Sequence, residues 1–358
     1  MNPALGNITH VALPDIGLDP FEVEIPPLLP NRFLIVDAWD LDKGFFAELF
    51  NIHRQPGIVV DKYDEDKYFF EPVFRIGYEH SLFTSTAVHW TLERKDAMLM
   101  ALHEEVQLTE QTTETASQRR QSTVHFILPQ WLMNPAMLSR PYLPEGFDAA
   151  SWNRIAAENL NAVFSRYGCP EFSVMNHTIL PDAYLGRYRL VFCLQHPTAV
   201  FANMYRKCNG NRALSVEMMR PFCELYMTFR WMRLLYDSAL SYGYSQTIIV
   251  LNHDSVIANL RETVSHVCHE LGLENRAVVL EKLAPRIAAA DRAKQELDAS
   301  IRKTVIQQGL TYHDARIAEM MRGWTEEFGQ AAAYMLADFS RAAIDDYEYL
   351  RQREMIYM

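Results

Sequence analysis

Three stretches of this sequence set chemically capable side chains where a parallel α/β sheet would display them. The first is Asp37-Ala38-Trp39-Asp40-Leu41-Asp42-Lys43-Gly44, directly after the apolar run Phe33-Leu34-Ile35-Val36. A loop at the carboxyl end of a first strand is where open α/β sheets take their ligands. There Trp39 would wall a pocket, and Asp40 or Lys43 would form a hydrogen bond or move a proton; the dull alternative is a solvated loop. The DxxDxD spacing could also offer oxygen ligands to a divalent ion. It matches no calcium loop, so no metal is expected. The second stretch is Gln195-His196-Pro197, after the run Arg189 to Leu194. An imidazole at a strand's carboxyl end suits general acid–base work. Tyr205 and Arg206 on the following segment would face the same cleft, or simply pack and snorkel. The third is the aromatic stretch from Tyr68 to Trp90, with Phe70, Phe74, Tyr78, His80, Phe83 and Trp90. Core packing is its default reading, yet such a set also suits an apolar ligand pocket. His125, on an expected strand, would border that pocket.

Other chemistries find little support. GxSxG, GxxxxGK[ST] and GxGxxG are all absent, which argues against serine hydrolases, true P-loop NTPases and Rossmann dehydrogenases. His266 and His269 share a helix face beside Glu270, but nothing near them supplies a third metal ligand, so a solvent-facing position is expected. The five cysteines are scattered, odd in number and without CxxC, which fits neither a disulfide framework nor a cysteine zinc site. A net charge of −11 disfavours nucleic acid and anionic membrane surfaces as partners. The first residues lack the pattern of a secretory leader, and no apolar run is long enough to span a membrane. A cytoplasmic location is the resulting expectation.

The elements that must position these groups follow from periodicity. Short apolar runs predict strands at 33–36, 57–60, 123–128, 189–194 and 247–251. Helices are expected over 149–167, 197–208, 218–242 and 256–271, and over nearly all of 286–355 with breaks near Gly309 and Gly323. The polar stretch 109–122 reads as a mobile loop, and the proline-rich residues 1–31 as an extended arm. Strands alternating with helices imply an α/β protein with a doubly wound, mostly parallel sheet. The expected division is an arm (1–31), an α/β domain (32–285) and a helical C-terminal cap (286–358) packed on that domain.

In this order of elements, RYRLVFCLQHPTAVFANMYRKC (187–208) and LLYDSALSYGYSQTIIVLNHDSVIANLRETVSHVCHELGL (234–273) resemble the strand–helix segments of the sulfotransferase family. FLIVDAWDLDKGFFAELF (33–50) stands where that family has its phosphosulfate loop, and STVHFILPQWL (122–132) where a further strand lies. The resemblance spans about residues 30–285 and implies a P-loop-like α/β fold, an adenosine phosphosulfate donor and an apolar acceptor site. The departures are pointed. Three carboxylates and Trp39 occupy the loop that should cradle an anion; two like charges about 4 Å apart repel by roughly 4 kcal/mol at an effective dielectric near 20. Gln195-His196-Pro197 replaces Arg-x-Pro, Ala199 and Ala202 stand where a donor-binding serine is sought, and Leu128-Pro129 replace a charged pair.

Three functions are compatible with this pattern. The first is a cofactor-independent biosynthetic enzyme, a cyclase, isomerase or lyase, that folds a small apolar metabolite in the vacated cleft. In it Asp40, Lys43, His196 and Arg206 would be catalytic, and Trp39, Phe70, Phe74, Tyr78, His80, Phe83, Trp90, His125, Gln195 and Tyr205 would bind substrate. The second is a sulfotransferase with unusual donor contacts. The third is a non-catalytic protein that binds a partner through its helical C-terminal region, with an exposed apolar stripe there. Homo-oligomerisation stays open.

Overall fold

The computed structural model describes residues 32–37, 57–60, 92–133, 165–166, 172–173, 176–209, 215–241, 248–271 and 277–354. The proline-rich arm, the loop from Ala38 to Lys43, the aromatic stretch 68–90 and all but the end of the expected helix 149–167 lie outside these residues.

Five strands form one sheet: β1 (Arg32–Asp37), β2 (Ile58–Val60), β3 (Ser122–Ile127), β4 (Tyr188–Leu194) and β5 (Ile248–Asn252). All of the described pairings are parallel, in the order β2-β3-β1-β4-β5. Each strand falls within a residue or two of the apolar run that predicts it. Phe33, Leu34, Ile35 and Val36 are all buried. Burial of successive residues means both sheet faces are covered, the condition under which a strand reads as a continuous apolar run. The chain leaves β1 toward β2 on one side and leaves β4 toward β5 on the other. The strand order therefore reverses between β1 and β4, and a ligand crevice is expected outside their carboxyl ends. Asp37 and Cys193 are register partners at that edge.

The helices are α1 (Leu92–Gln118), α2 (Pro129–Leu132), α3 (Asp182–Leu185), α4 (Pro197–Asn209), α5 (Val216–Tyr226), α6 (Arg230–Ser241), α7 (His253–Ala258) and α8 (Leu260–Leu271), followed by α9 (Ala277–Gln308), α10 (Tyr312–Phe328), α11 (Gln330–Ala342) and α12 (Ile344–Arg351). This is an α/β fold of sulfotransferase-like type with a helical C-terminal region. Helix α9 runs unbroken across residues 285 and 286. Helices α10 and α11 pack on α4, and α12 packs on β4 and β5.

Several boundaries differ from the expectation. The supposed mobile loop is the second half of α1. Thr109, Thr113 and Ala116 are fully buried at helical spacing, and the Thr113 hydroxyl donates to the Thr109 carbonyl at 2.8 Å. The long helix expected over 218–242 is two helices. Met227 and Phe229 are buried in the break itself, so apolar periodicity runs across it. The Thr228 hydroxyl then accepts from the Arg230 N–H at 3.1 Å to start α6. The segment 256–271 likewise divides, at Asn259, whose φ of −128° and ψ of 44° leave the helical region; the Asn252 side chain caps the start of α7 through the Asp254 N–H. Gly323 sits inside α10. The second break falls instead at Gly329, whose φ of 86° with ψ of 163° is a glycine conformation.

Candidate active site at the carboxyl ends of β1 and β4

Asp37 ends β1 and is 3% exposed. Its charge reaches Lys207 on α4, whose ammonium is lowered by burial and raised in turn by Asp37. It also reaches the Cys193 thiol, which burial pushes well up. A carboxylate held in the protein interior costs several kcal/mol unless compensated, and Lys207 supplies part of that compensation.

His196 follows β4 by two residues, and α4 begins immediately after it because Pro197 needs no N–H partner in a first turn. The ring is 1% exposed. Its Nδ1 lies 2.8 Å from the Thr198 hydroxyl and 3.3 Å from the Thr198 backbone N–H, which donates to it. Its Nε2 lies 3.1 Å from His313 Nδ1. The two imidazoles stack with their planes 21° apart, and Tyr347 meets His196 edge-on. Burial first, then the charges of Arg316 and His313, push the His196 imidazole down to about 2. It is neutral at any physiological pH.

Around these rings stand groups from four helices. Arg316 of α10 reaches Asp254 of α7 at 3.4 Å. Burial acts to raise the Asp254 carboxyl, but the His253 ring 3.6 Å away and the Arg316 and Lys294 charges bring it below its usual range. Lys294 of α9 donates to the Asp254 carbonyl at 3.2 Å. His313 Nε2 is 3.3 Å from Glu348 of α12, and both Glu348 oxygens accept from Arg351 at 2.7 Å. The C-terminal helices thus complete the surroundings of the one histidine that sequence reasoning placed at this site. Thr198, Asn252, Asp254, His313, Arg316, Tyr347 and Glu348 were missed. Only Thr198 carries a local signal, its place two residues after His196; the rest come from segments distant in the chain.

The other sequence-predicted residues are placed as follows. Gln195 is half-buried beside His196. Tyr205 is buried with its ring edge-on to Phe328. Arg206 is half-exposed and makes a two-pronged ion pair with Glu327 at 2.6 and 2.8 Å, over the face of Phe328; this pair of residues docks α10 on α4. His125 is buried on β3 with its ring edge-on to Tyr188, in register with Leu34 in mid-sheet. Trp39, Asp40, Lys43, Phe70, Phe74, Tyr78, His80, Phe83 and Trp90 lie outside the described residues. His269 is exposed and His266 half-buried. Among the described residues no three His, Cys, Asp or Glu side chains could hold a metal, and Cys193, Cys208, Cys223 and Cys268 are free thiols.

A second polar cluster lies at the opposite, amino edge of the sheet. Arg32 of β1 pairs through both guanidinium nitrogens with Glu110 of α1, and the Tyr184 hydroxyl donates to Glu110 at 2.6 Å. Burial would raise the Glu110 carboxyl, but these hydrogen bonds and the Arg32 and Arg187 charges lower it. A cavity of about 650 Å³ opens beside it, lined by residues including Gln107, Gln111, Glu114 and Arg166. This end of the sheet is the one that doubly wound folds do not use for ligands.

The adenosine phosphosulfate donor implied by the fold type is polyanionic. The described residues at the ends of β1 and β4 do not fit it: a buried carboxylate stands at Asp37, and the neutral groups Gln195 and His196 stand where a guanidinium is needed.

Comparison with known proteins agrees with the fold. The chain is 28% identical over 202 residues to Sulfotransferase ppzF of Metarhizium majus (strain ARSEF 297), covering 51% of this chain and 57% of the relative. It is 25% identical over 196 residues to Sulfotransferase ppzF of Metarhizium rileyi (strain RCEF 4871), with the same shares. The match therefore spans little more than half the length of these curated relatives. No protein-family model and no solved structure matches the chain. Among the described residues no helix is long and apolar enough to cross a membrane.

Proposed function

We propose that this chain is an enzyme that holds a small apolar metabolite in the crevice outside β1 and β4 and rearranges it by positioning and proton transfer. Ring closure, isomerisation and loss of water are the reactions of this class, and none of them needs a phosphosulfate donor. The observation that carries the reading is the charge at the crevice: Asp37 is an interior carboxylate and His196 a neutral imidazole. Such groups repel or ignore a nucleotide phosphate, yet they suit a neutral ligand. Holding a flexible substrate in its reactive conformer can supply roughly 7–11 kcal/mol of a barrier, and a donor on a developing oxyanion a few more. In this reading Asp40 and Lys43 remain candidates for catalytic groups and the aromatic stretch 68–90 for the apolar wall, whereas Arg206, held by Glu327, and His125, in mid-sheet against Tyr188, are given up as site residues.

A second reading, sulfo-group transfer, is favoured by the two relatives, both named as sulfotransferases. Calorimetry with adenosine 3′,5′-bisphosphate separates the two. We expect no heat of binding at ligand concentrations up to ~1 mM. A dissociation constant near ~1 µM, worth about −8 kcal/mol, would establish sulfo transfer and overturn the first reading. A partner-binding role has no comparable observation in its favour. The exposed large apolar side chains described beyond residue 286 are Ile306, Tyr312 and Tyr334, which do not form a stripe at helical spacing.

A further inference from the structure

Resting on the reading of the crevice above, we propose that Thr198, His196, His313 and Glu348 form an oriented proton relay between the carboxyl end of β4 and the surface, hydrogen-bonded from Thr198 through His196 to His313 and continued at ion-pair distance to Glu348. His313 and Glu348 are contributed by the C-terminal helices.

The direction of the chain follows from its fixed members. A backbone N–H can only donate, and that of Thr198 points at His196 Nδ1. Nδ1 is therefore an acceptor, and the Thr198 hydroxyl 2.8 Å away donates to it as well. A neutral imidazole with a bare Nδ1 carries its proton on Nε2. That proton faces His313 Nδ1, which must accept. His313 then carries its own proton on Nε2, turned toward the Glu348 carboxylate, which can only accept. From Thr198 to His313 each hydrogen bond is satisfied in one resting orientation, with Glu348 next in line at an ion-pair distance of 3.3 Å; the reversed resting orientation would set an N–H of His196 against the N–H of Thr198.

Exposure rises along the chain. Thr198 and His196 are each 1% exposed, while the His313 and Glu348 side chains are 26% and 19% exposed. The groups whose charge bears on His196 are Arg316, His313, Asp254 and Arg351. Those bearing on His313 are Glu348, Arg351, Arg316 and Asp314. Burial first, and then the two arginines that act on both rings, disfavour an imidazolium on either, against the opposing pull of Glu348 on His313. A proton is passed through these rings and not stored on them.

The step balances with only O–H and N–H bonds changing. A proton from a substrate in the crevice goes to the Thr198 oxygen, and the hydroxyl's own proton moves to His196 Nδ1. The Nε2 proton of His196 moves to His313 Nδ1, and the Nε2 proton of His313 moves to Glu348, which exchanges with water. A proton returned by the same path, as an isomerisation requires, restores the resting orientation.

Selective ¹⁵N-histidine labelling of the full chain tests this without a substrate. Two-bond nitrogen–proton correlations are expected to show His196 and His313 as Nε2–H tautomers. His196 should stay neutral well below the ordinary imidazole value of 6.5. An Nδ1–H tautomer at His196, or titration near 6.5, would overturn the proposal. Conduction is read from exchange of the buried His196 Nε2 proton with water. It should be fast in the parent chain and at least ~10-fold slower in His313→Gln, whose amide oxygen still accepts from His196 but cannot pass a proton on. Glu348→Gln should slow it likewise, and serves if His313→Gln does not fold. Equal exchange in parent and variant would sink the relay. The calorimetric result bears on the crevice's ligand alone, so the two readings can fail separately.

Discussion

At the scale of single residues, the half-buried Glu110 and the buried His196 give the protein a dependence on pH that can be worked out in sign. Glu110 has a lowered folded-state pKa, so its pairing with Arg32 contributes fully above the ordinary carboxylate value near 4.5 and is lost as pH falls below it. Glu110→Gln should remove that part of the acid sensitivity. Because it leaves the largely buried Arg32 guanidinium without its counter-ion, it should also cost about 3 kcal/mol at pH 7, read from urea unfolding. His196 acts over a higher window. Its unfolded imidazole binds a proton below about 6.5, whereas the folded one does not until about 2. Stability should therefore fall by about 1.4 kcal/mol per pH unit between roughly 6 and 5 on this account alone. Unfolding free energies of the parent and of His196→Gln at pH 7, 6 and 5 check this: the variant's slope should be shallower by about that amount.

At the scale of elements, the helix breaks give a paired test. Gly329 holds a backbone conformation that L side chains rarely adopt, while Gly323 is helical; an added Cβ would meet no atom within 4 Å at either site. Gly329→Ala should destabilise by about 1–3 kcal/mol through backbone strain. Gly323→Ala should stabilise by about 0.5–1 kcal/mol through helix propensity and unfolded-state entropy. Thermal midpoints moving in opposite directions would bear this out. The same pair shows what was legible beforehand. All five strands could be read, since a strand covered on both faces is an apolar run that needs no other context. Gly309 could be read as a break because a glycine after a helix's last turn is a stop signal. Gly323 could not be separated from Gly329, because a glycine's φ is set by how α10 and α11 both pack back on α4. The second half of α1 was misread because Thr109 and Thr113 look solvated in sequence, yet they are buried by their neighbours. The site was legible only at His196. Apart from Thr198, two residues on, its partners come from segments more than 50 residues away, and no local spacing announces them.

At the scale of the whole molecule, α12 closes over the edge of the sheet that carries the candidate site. Tyr347 and Leu350 are buried there, and the Tyr349 ring lies between the guanidinium groups of Arg233 and Arg353, its hydroxyl donating to Asp237 at 2.6 Å. Ending the chain at Ala343 should cost about 4 kcal/mol or more, from two large apolar side chains at about 1.5–3 kcal/mol each. That is a large share of a typical total, and the urea midpoint would report it. The placement of α12 also has a consequence for how the protein is made. Its first residue, Ile344, lies about 90 residues beyond the end of β5, and translation proceeds at roughly 5–20 residues per second. For some 5–20 s, then, each nascent chain carries a sheet whose carboxyl edge is uncovered and whose His196 is still wet and able to take up a proton. Chains made in an acidified compartment would meet their own closing helix with that imidazole already charged, and would have to lose the proton before α12 could seat.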